Sequence, residues 1–226
     1  MSSRFTGFWF RQHFYTTPYS SGNLSYLEIC KMQNRKSEMR QVALLRRNGA
    51  FAQNHTAGEK LAQWFPQSIK ATGTIVAGYI PIGSEIDPLP LMRELRGQGA
   101  KLCLPRVNLA YNSLGFHLYE FGDALTTSAF GISEPSPNQE KVTPQLLLVP
   151  LLAFDKKCNR LGYGKGFYDR AISELKGIHE VIAIGLAYAA QEFNFVPNEP
   201  HDQKLDWVMT EAQSINREAE VQMVNK

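Results

Sequence analysis

Over residues 35–47 the apolar positions recur with a helical period. Met39, Val42, Ala43 and Leu45 fall on one side and basic residues on the other. This predicts an amphipathic helix capped by Asn34. Residues 56–65 predict a second helix, stopped near Pro66, whose ring cannot continue it. The period then shortens. Residues 74–80 are a β-branched apolar run, the signature of a strand buried on both faces. Asp87 and Pro88 supply a cap and a first-turn proline for a helix reaching Leu95, and Gly97 and Gly99 end it. Residues 101–104 predict a strand, and residues 116–120 alternate as an edge strand would. Residues 145–149 form another buried strand closed by Pro150. A polar loop, a helix over 167–175, a buried strand over 181–186 and a short strand over 207–210 complete the pattern.

Strands separated by helices predict an α/β fold of three layers, a mostly parallel, Rossmann-like β-sheet with helices on both faces. Such sheets bind ligands at the carboxyl ends of their strands, here the loops after Ile80, Leu104, Val149 and Leu186. The first 31 residues differ from the rest: rich in Ser, Tyr and Phe, nearly free of acids, and without a steady period. They lack the plan of a secretory signal. Arg4 and Arg11 lend a faint transit-peptide character, and a translation start at Met32 is the other reading. The expected organisation is a disordered extension over 1–31, one α/β domain over 32–212, and a C-terminal tail over 213–226.

Charge narrows the function. The net charge is +3, but the first 31 residues hold Arg4, Arg11 and Lys31 against Glu28, leaving 21 basic and 20 acidic residues. A near-neutral domain argues against nucleic acid as partner, though a local cluster suffices for a small anion. No apolar run approaches the roughly 18 residues needed to cross a bilayer, so no membrane partner is expected. Cys30, Cys103 and Cys158 are odd in number and form no Cys-x-x-Cys pair, which disfavours disulfides or structural zinc and suits the reducing cytoplasm. Cys103 reads as a buried small hydrophobe and Cys158 as part of a polar loop.

The chemistry concentrates after the strand at 145–149, in Asn159-Arg-Leu-Gly-Tyr-Gly-Lys-Gly-Phe-Tyr-Asp-Arg170. Gly162, Gly164 and Gly166 leave the backbone free for positive φ, so successive N–H groups can form a nest for phosphate oxygens. A helix follows, and its amino end adds positive potential. Lys165 sits inside the loop, and Arg160 and Arg170 flank it. The spacing is neither a Walker loop nor a dinucleotide fingerprint, and a plain flexible loop remains the other reading. Asp169 would be repelled by phosphate unless a cation such as Mg²⁺ lay between them. Alternatively, it caps the next helix or pairs with Arg170.

The run VPLLAFDKKCNRLGYGKGFYDR resembles the signature of the 5-formyltetrahydrofolate cyclo-ligase family. Further matches bracket it in order: Lys36-Ser-Glu-Met-Arg40, the loop with Ser84-Glu85-Ile86-Asp87, the strand ending Pro105-Arg106, Gly185-Leu-Ala-Tyr188, and the stretch with Pro197, Glu199, His201, Asp202, Asp206 and Glu211. The resemblance spans residues 35–211. It implies conversion of 5-formyltetrahydrofolate to 5,10-methenyltetrahydrofolate with ATP and Mg²⁺, by a monomer.

By the same resemblance, ATP is bound by Lys36, Ser37, Glu38, Met39 and Arg40 and by Arg160, Leu161, Gly162, Tyr163, Gly164, Lys165, Gly166, Phe167 and Tyr168. Ile80, Glu85 and residues 163–167 fall on the folate side. Asp169 and Asp202 match the metal positions. Lys36, Arg40, Arg160 and Lys165 supply catalytic charge. Read without the resemblance, Lys36 and Arg40 are a solvated basic helix face, Glu85 a surface acid, and Ile80 wall packing. Tyr163 and Phe167 stand where relatives often carry residues such as Arg and Tyr, a departure that bears on folate rather than on the nucleotide. Two other classes compete: a kinase or ligase using the same loop on another acceptor, and a non-catalytic RNA-binding module. The absence of interleaved basic and aromatic runs counts against the latter.

Overall fold

The computed structural model describes residues 26–128 and 131–218. Helix α1 spans Tyr26–Gln53 and helix α2 Ala57–Lys60, the latter running into a 3₁₀ turn over Leu61–Trp64. Strand β1 (Ile75–Ala77), helix α3 (Leu89–Gly97) and strands β2 (Lys101–Asn108) and β3 (Ser113–Leu118) follow. Then come β4 (Leu125–Thr127), β5 (Ser133–Pro135), β6 (Lys141–Val142), β7 (Leu146–Pro150), β8 (Ala153–Phe154) and β9 (Arg160–Leu161). Helix α4 (Phe167–Lys176), β10 (Ile182–Leu186), β11 (Trp207–Met209) and β12 (Ser214–Asn216) end the described chain.

The main sheet has the order β12-β11-β10-β7-β1-β2-β3-β6. Its five central strands, β11 to β2, are parallel; β12 at one end and β3 at the other run against them, and β6 pairs antiparallel with β3. The strand period of two sorts the side chains between faces. Val76, Leu102, Leu104, Leu146, Leu148 and Ile184 share one core with Leu91, Met92 and Leu95 of α3. Ala77, Cys103, Leu147, Val149, Ala183 and Val208 share the other with Ala171, Ile172 and Leu175 of α4. Burial on both faces makes these strands continuous apolar runs, so the three-layer α/β expectation holds.

Several boundaries depart from the expected ones. Helix α1 begins at Tyr26, so Asn34 lies within it and caps nothing. No proline interrupts this stretch, and Leu27, Glu28, Lys31 and Met32 are good helix formers. The expected disordered extension therefore loses residues 26–31 to the helix, while residues 1–25 lie outside the described residues. The strand expected over 74–80 shrinks to three residues. Strand β3 is not an edge, because β6 pairs outside it. The expected tail supplies β12, which pairs with β11. Residues 219–226 lie outside the described residues. Cys158 is fully buried against the α4 core rather than placed in a polar loop, and it holds φ +57°.

Helix α1 follows the polarity its sequence predicts only in part: Met39 and Ala43 pack inward, Val42 and Leu45 do not. Val42 is 46 % and Leu45 72 % exposed, whereas Lys36 and Arg47 are buried. The helix does not lie on a sheet face. Ala43 and Met39 pack against Leu152, Ala153, Leu161 and Val196, which follow the carboxyl end of β7, and the helix meets the 3₁₀ turn Ala189–Gln191. Its inward stripe, Lys36, Arg40, Ala43 and Arg47, has helical spacing and is mostly cationic.

Candidate active site

A cleft of about 780 Å³ opens at the carboxyl ends of β1, β2 and β7. Residues 160–169 form one wall, α1 contributes Lys36 and Arg40, the loop after β1 contributes Ile80, Ile82 and Glu85, and β5 contributes Ser133 and Glu134. Two of the three loop glycines adopt the left-handed backbone: Gly164 has φ +92° and Gly166 has φ +68°, while Gly162 is not among the positive-φ residues. Gly166 immediately precedes α4, so the loop ends on that helix's amino terminus.

The stem of this loop is fixed by Asp155, which is buried. Its Oδ1 accepts from the amides of Lys157 (3.0 Å) and Asn159 (3.1 Å). Its Oδ2 accepts from Asn159 Nδ2 (2.9 Å) and from the amide of Val196 (3.0 Å). Four donors on one buried carboxylate hold the turn between β8 and β9. From α1, Arg40 Nε donates to the carbonyl of Gly162 at 2.9 Å. The φ of +92° favours glycine at 164, and a Cβ there would stand 3.1 Å from the Arg40 guanidinium, which would have to give way slightly.

Lys36 Nζ donates to Asp202 Oδ2 at 2.6 Å and lies 3.3 Å from Glu199 Oε1. Arg160 donates to Asp169 Oδ1 at 2.7 Å, and the same oxygen accepts from the amide of Gln203 at 3.0 Å. Asp169 thus neither caps α4 nor pairs with Arg170, whose guanidinium donates to the carbonyls of Asn112 and Lys165. Arg160 Nε is buried without a hydrogen-bond partner. His201 Nε2 lies 3.3 Å from Glu199 Oε2 on a mostly exposed side chain.

At the far end of the cleft, the buried Glu85 carboxylate accepts from the amide of Ile82 (2.9 Å) and from the Tyr163 hydroxyl (2.9 Å). Burial pushes its pKa above the ordinary carboxylate range, against the lowering effect of the Ile82 and Tyr163 hydrogen bonds and the Arg47 charge. The Tyr163 phenol is itself pushed up to about 12, chiefly by burial and then by the neighbouring Glu85 charge.

Of the α1 residues expected at the nucleotide, Lys36 and Arg40 line the cleft, while Ser37, Glu38 and Met39 do not. Ser37 and Glu38 are exposed, and Met39 packs beneath the helix, as the 100° step of an α-helix requires. All ten residues from Arg160 to Asp169 line the cleft, together with Ile80, Glu85 and Asp202. Sequence reasoning gave no part in the site to Arg47 or Glu134, and named Ser84 and Glu199 only as parts of matching motifs. Arg47 had a detectable signal, since it stands seven residues beyond Arg40 on the same helical face. Glu134 had none, because its hairpin is set by pairing that leaves no strong pattern.

The comparisons with known proteins agree with one another. The model of the 5-formyltetrahydrofolate cyclo-ligase family matches residues 32–211. The chain belongs to this family. It is accordingly a ligase of folate one-carbon metabolism. The 5-formyltetrahydrofolate cyclo-ligase of Haemophilus influenzae is 33 % identical over 178 residues, covering 76 % of this chain and 93 % of that protein. That of Mycolicibacterium smegmatis is 32 % identical, covering 80 % of this chain and 95 % of its own length. The NMR structure of the Aquifex aeolicus 5,10-methenyltetrahydrofolate synthetase superposes with a TM-score of 0.66 at 29 % identity, over 80 % of this chain and 92 % of that one.

Proposed function

We propose that this cleft uses ATP to close the imidazoline ring of 5-formyltetrahydrofolate, giving 5,10-methenyltetrahydrofolate, ADP and phosphate. The observation that carries the reading is convergence. The glycine loop, the cationic stripe of α1 and the buried acid Glu85 meet in one cleft although they are distant in sequence. The triphosphate would lie against the amides of residues 162–166, with Lys36, Arg40, Arg160 and Lys165 as counter-charges. A phosphoryl transfer needs alignment and charge neutralisation more than a covalent group from the protein.

The formyl oxygen attacks the γ-phosphorus and ADP departs. The phosphorylated imidate then has a good leaving group: N10 attacks its carbon, the C–O bond breaks, and the N10 proton leaves with the released phosphate. Glu85 and Tyr163 would orient the formyl-bearing ring, and the hydrophobic walls exclude water, strengthening each electrostatic contact.

Mg²⁺ suits the donor set. Asp169 and Asp202 each have one carboxylate oxygen engaged by a basic side chain and an amide, leaving the other oxygen. Among the described residues no group of three ligating side chains stands ready to hold a metal unaided, and Mg²⁺ characteristically takes one or two carboxylates with phosphate oxygens and water. When bound, it would neutralise β- and γ-phosphate charge. The reading takes the domain from α1 through β12 as the working unit, a monomer in the cytoplasm. The resemblance and the cysteine usage support these points.

The test is a spectrophotometric assay of the full chain with 5-formyltetrahydrofolate. The expected result is near-ultraviolet absorbance of methenyltetrahydrofolate that grows only with ATP and stops on chelation of divalent metal. Absence of ATP-dependent signal would reject the proposal. Elution of the chain as a dimer on size exclusion would reject the monomer.

A further inference from the structure

Arg47 is buried on the inner stripe of α1, yet it does not line the cleft. Its Nε donates to Ser84 Oγ at 3.0 Å, and its Nη1 donates to the Tyr163 hydroxyl at 2.5 Å and lies 3.8 Å from Glu85 Oε1. Its guanidinium sits 5.5 Å from the Tyr163 ring centre. The Tyr163 hydroxyl passes the chain on to Glu85, and Ser84 donates to Asn48 Oδ1 at 2.5 Å, returning the network to α1. One side chain therefore ties together α1, the loop after β1 and the centre of the glycine loop, three segments far apart in sequence.

We infer that Arg47 is a positioning residue that locks Tyr163 of the phosphate-side loop to Glu85 of the acceptor side, so that the two halves of the cleft keep one geometry. A guanidinium suits this role because its planar fork serves two hydroxyls and a carboxylate in fixed directions, which a lysine cannot reproduce. The buried Glu85 carboxylate would otherwise lack a cation nearby, and the half-exposed Tyr163 hydroxyl, shared between a donor and an acceptor, has its orientation set by both. The inference rests on the proposed function for its kinetic consequence, though not for its structural one.

The experiment compares wild type, Arg47→Met, Arg47→Lys, Tyr163→Phe and the double variant Arg47→Met with Tyr163→Phe. In Arg47→Met the KM for 5-formyltetrahydrofolate should rise roughly tenfold or more while the KM for ATP stays within about threefold, as loss of alignment on one side predicts. Arg47→Lys should recover part of the loss, and the double variant should cost less than the two single effects multiplied, because both break the same link. Independently of turnover, amide hydrogen exchange in residues 82–86 and 160–167 should quicken in Arg47→Lys and Arg47→Met, with α4 unchanged. Equal rises in both KM values, full additivity, or unaltered exchange in those two segments would overturn the inference. If wild type shows no ATP-dependent turnover, the function falls, and the exchange measurement alone decides the role of Arg47.

Discussion

Helices α4 and α1 both border the cleft, and they are built on opposite principles. Helix α4 is an ordinary amphipathic helix. Ala171, Ile172 and Leu175 are buried against the sheet and polar residues face away, so its sequence pattern and its orientation agree. Helix α1 buries a lysine and an arginine and leaves Val42, Leu45 and Phe51 more than 40 % exposed. The difference lies in what each helix packs against. Helix α4 meets a hydrocarbon sheet face. Helix α1 meets the loops at the carboxyl end of the sheet, where Gly162 presents a carbonyl and Glu85, Glu199 and Asp202 present carboxylates. A cationic stripe is the complementary surface there. Helix α4 thus serves the fold first, and α1 serves the site at a cost in apolar burial.

The comparison yields measurements of decreasing size. Lys36→Met removes a charge that binds only carboxylates in the free protein, and kcat/KM for ATP should drop roughly 10³-fold, as for other groups that stabilise transferring phosphate. A loss below tenfold would mean that the α1 stripe is structural only. Ile172→Ala in α4 should instead cost about 3 kcal/mol of stability in denaturant titration, since the side chain is fully buried. The KM for ATP should be unchanged under folding conditions. Gly164→Ala falls between the two classes. Its φ of +92° and the proximity of Arg40 should raise the KM for ATP about tenfold and lower stability by about 1 kcal/mol. Leu45→Gln should shift stability by less than about 0.5 kcal/mol, because Leu45 is 72 % exposed. A clear loss there would show that the outward face of α1 is covered in solution.

The strands that read most clearly were those with an apolar run long enough to be buried on both faces: β7, β10 and the inner part of β2. Helices α3 and α4 read almost as clearly, although α3 starts later than expected: Pro88 is its N-cap and not its first-turn proline, Pro90 lies in the first turn, and Asp87 Oδ1 accepts from the amide of Leu89 at 2.9 Å. The short strands β4, β5, β6, β8, β9 and β12 were missed. Two or three residues carry no usable period, and each is a strand only because a neighbour supplies hydrogen-bond partners. The inward side of α1 was legible only through the resemblance, which puts Lys36 and Arg40 at the cleft, and not through its apolar period. An amphipathic pattern states that a helix has two sides, and it states which side goes inward only when the surface it meets is apolar.

The sequence by itself determined the alternation of strands and helices, the glycine loop with its embedded bases, and the family, because these depend on local spacing and residue type. Only the tertiary structure decided that Arg47 bridges Tyr163 and Glu85, that Lys36 sits between Glu199 and Asp202, and that Ser37, Glu38 and Met39 turn from the cleft. Those relations join side chains separated by up to 166 positions. They exist only once a parallel sheet has gathered the carboxyl ends of its strands at one edge, and no local pattern encodes such a meeting.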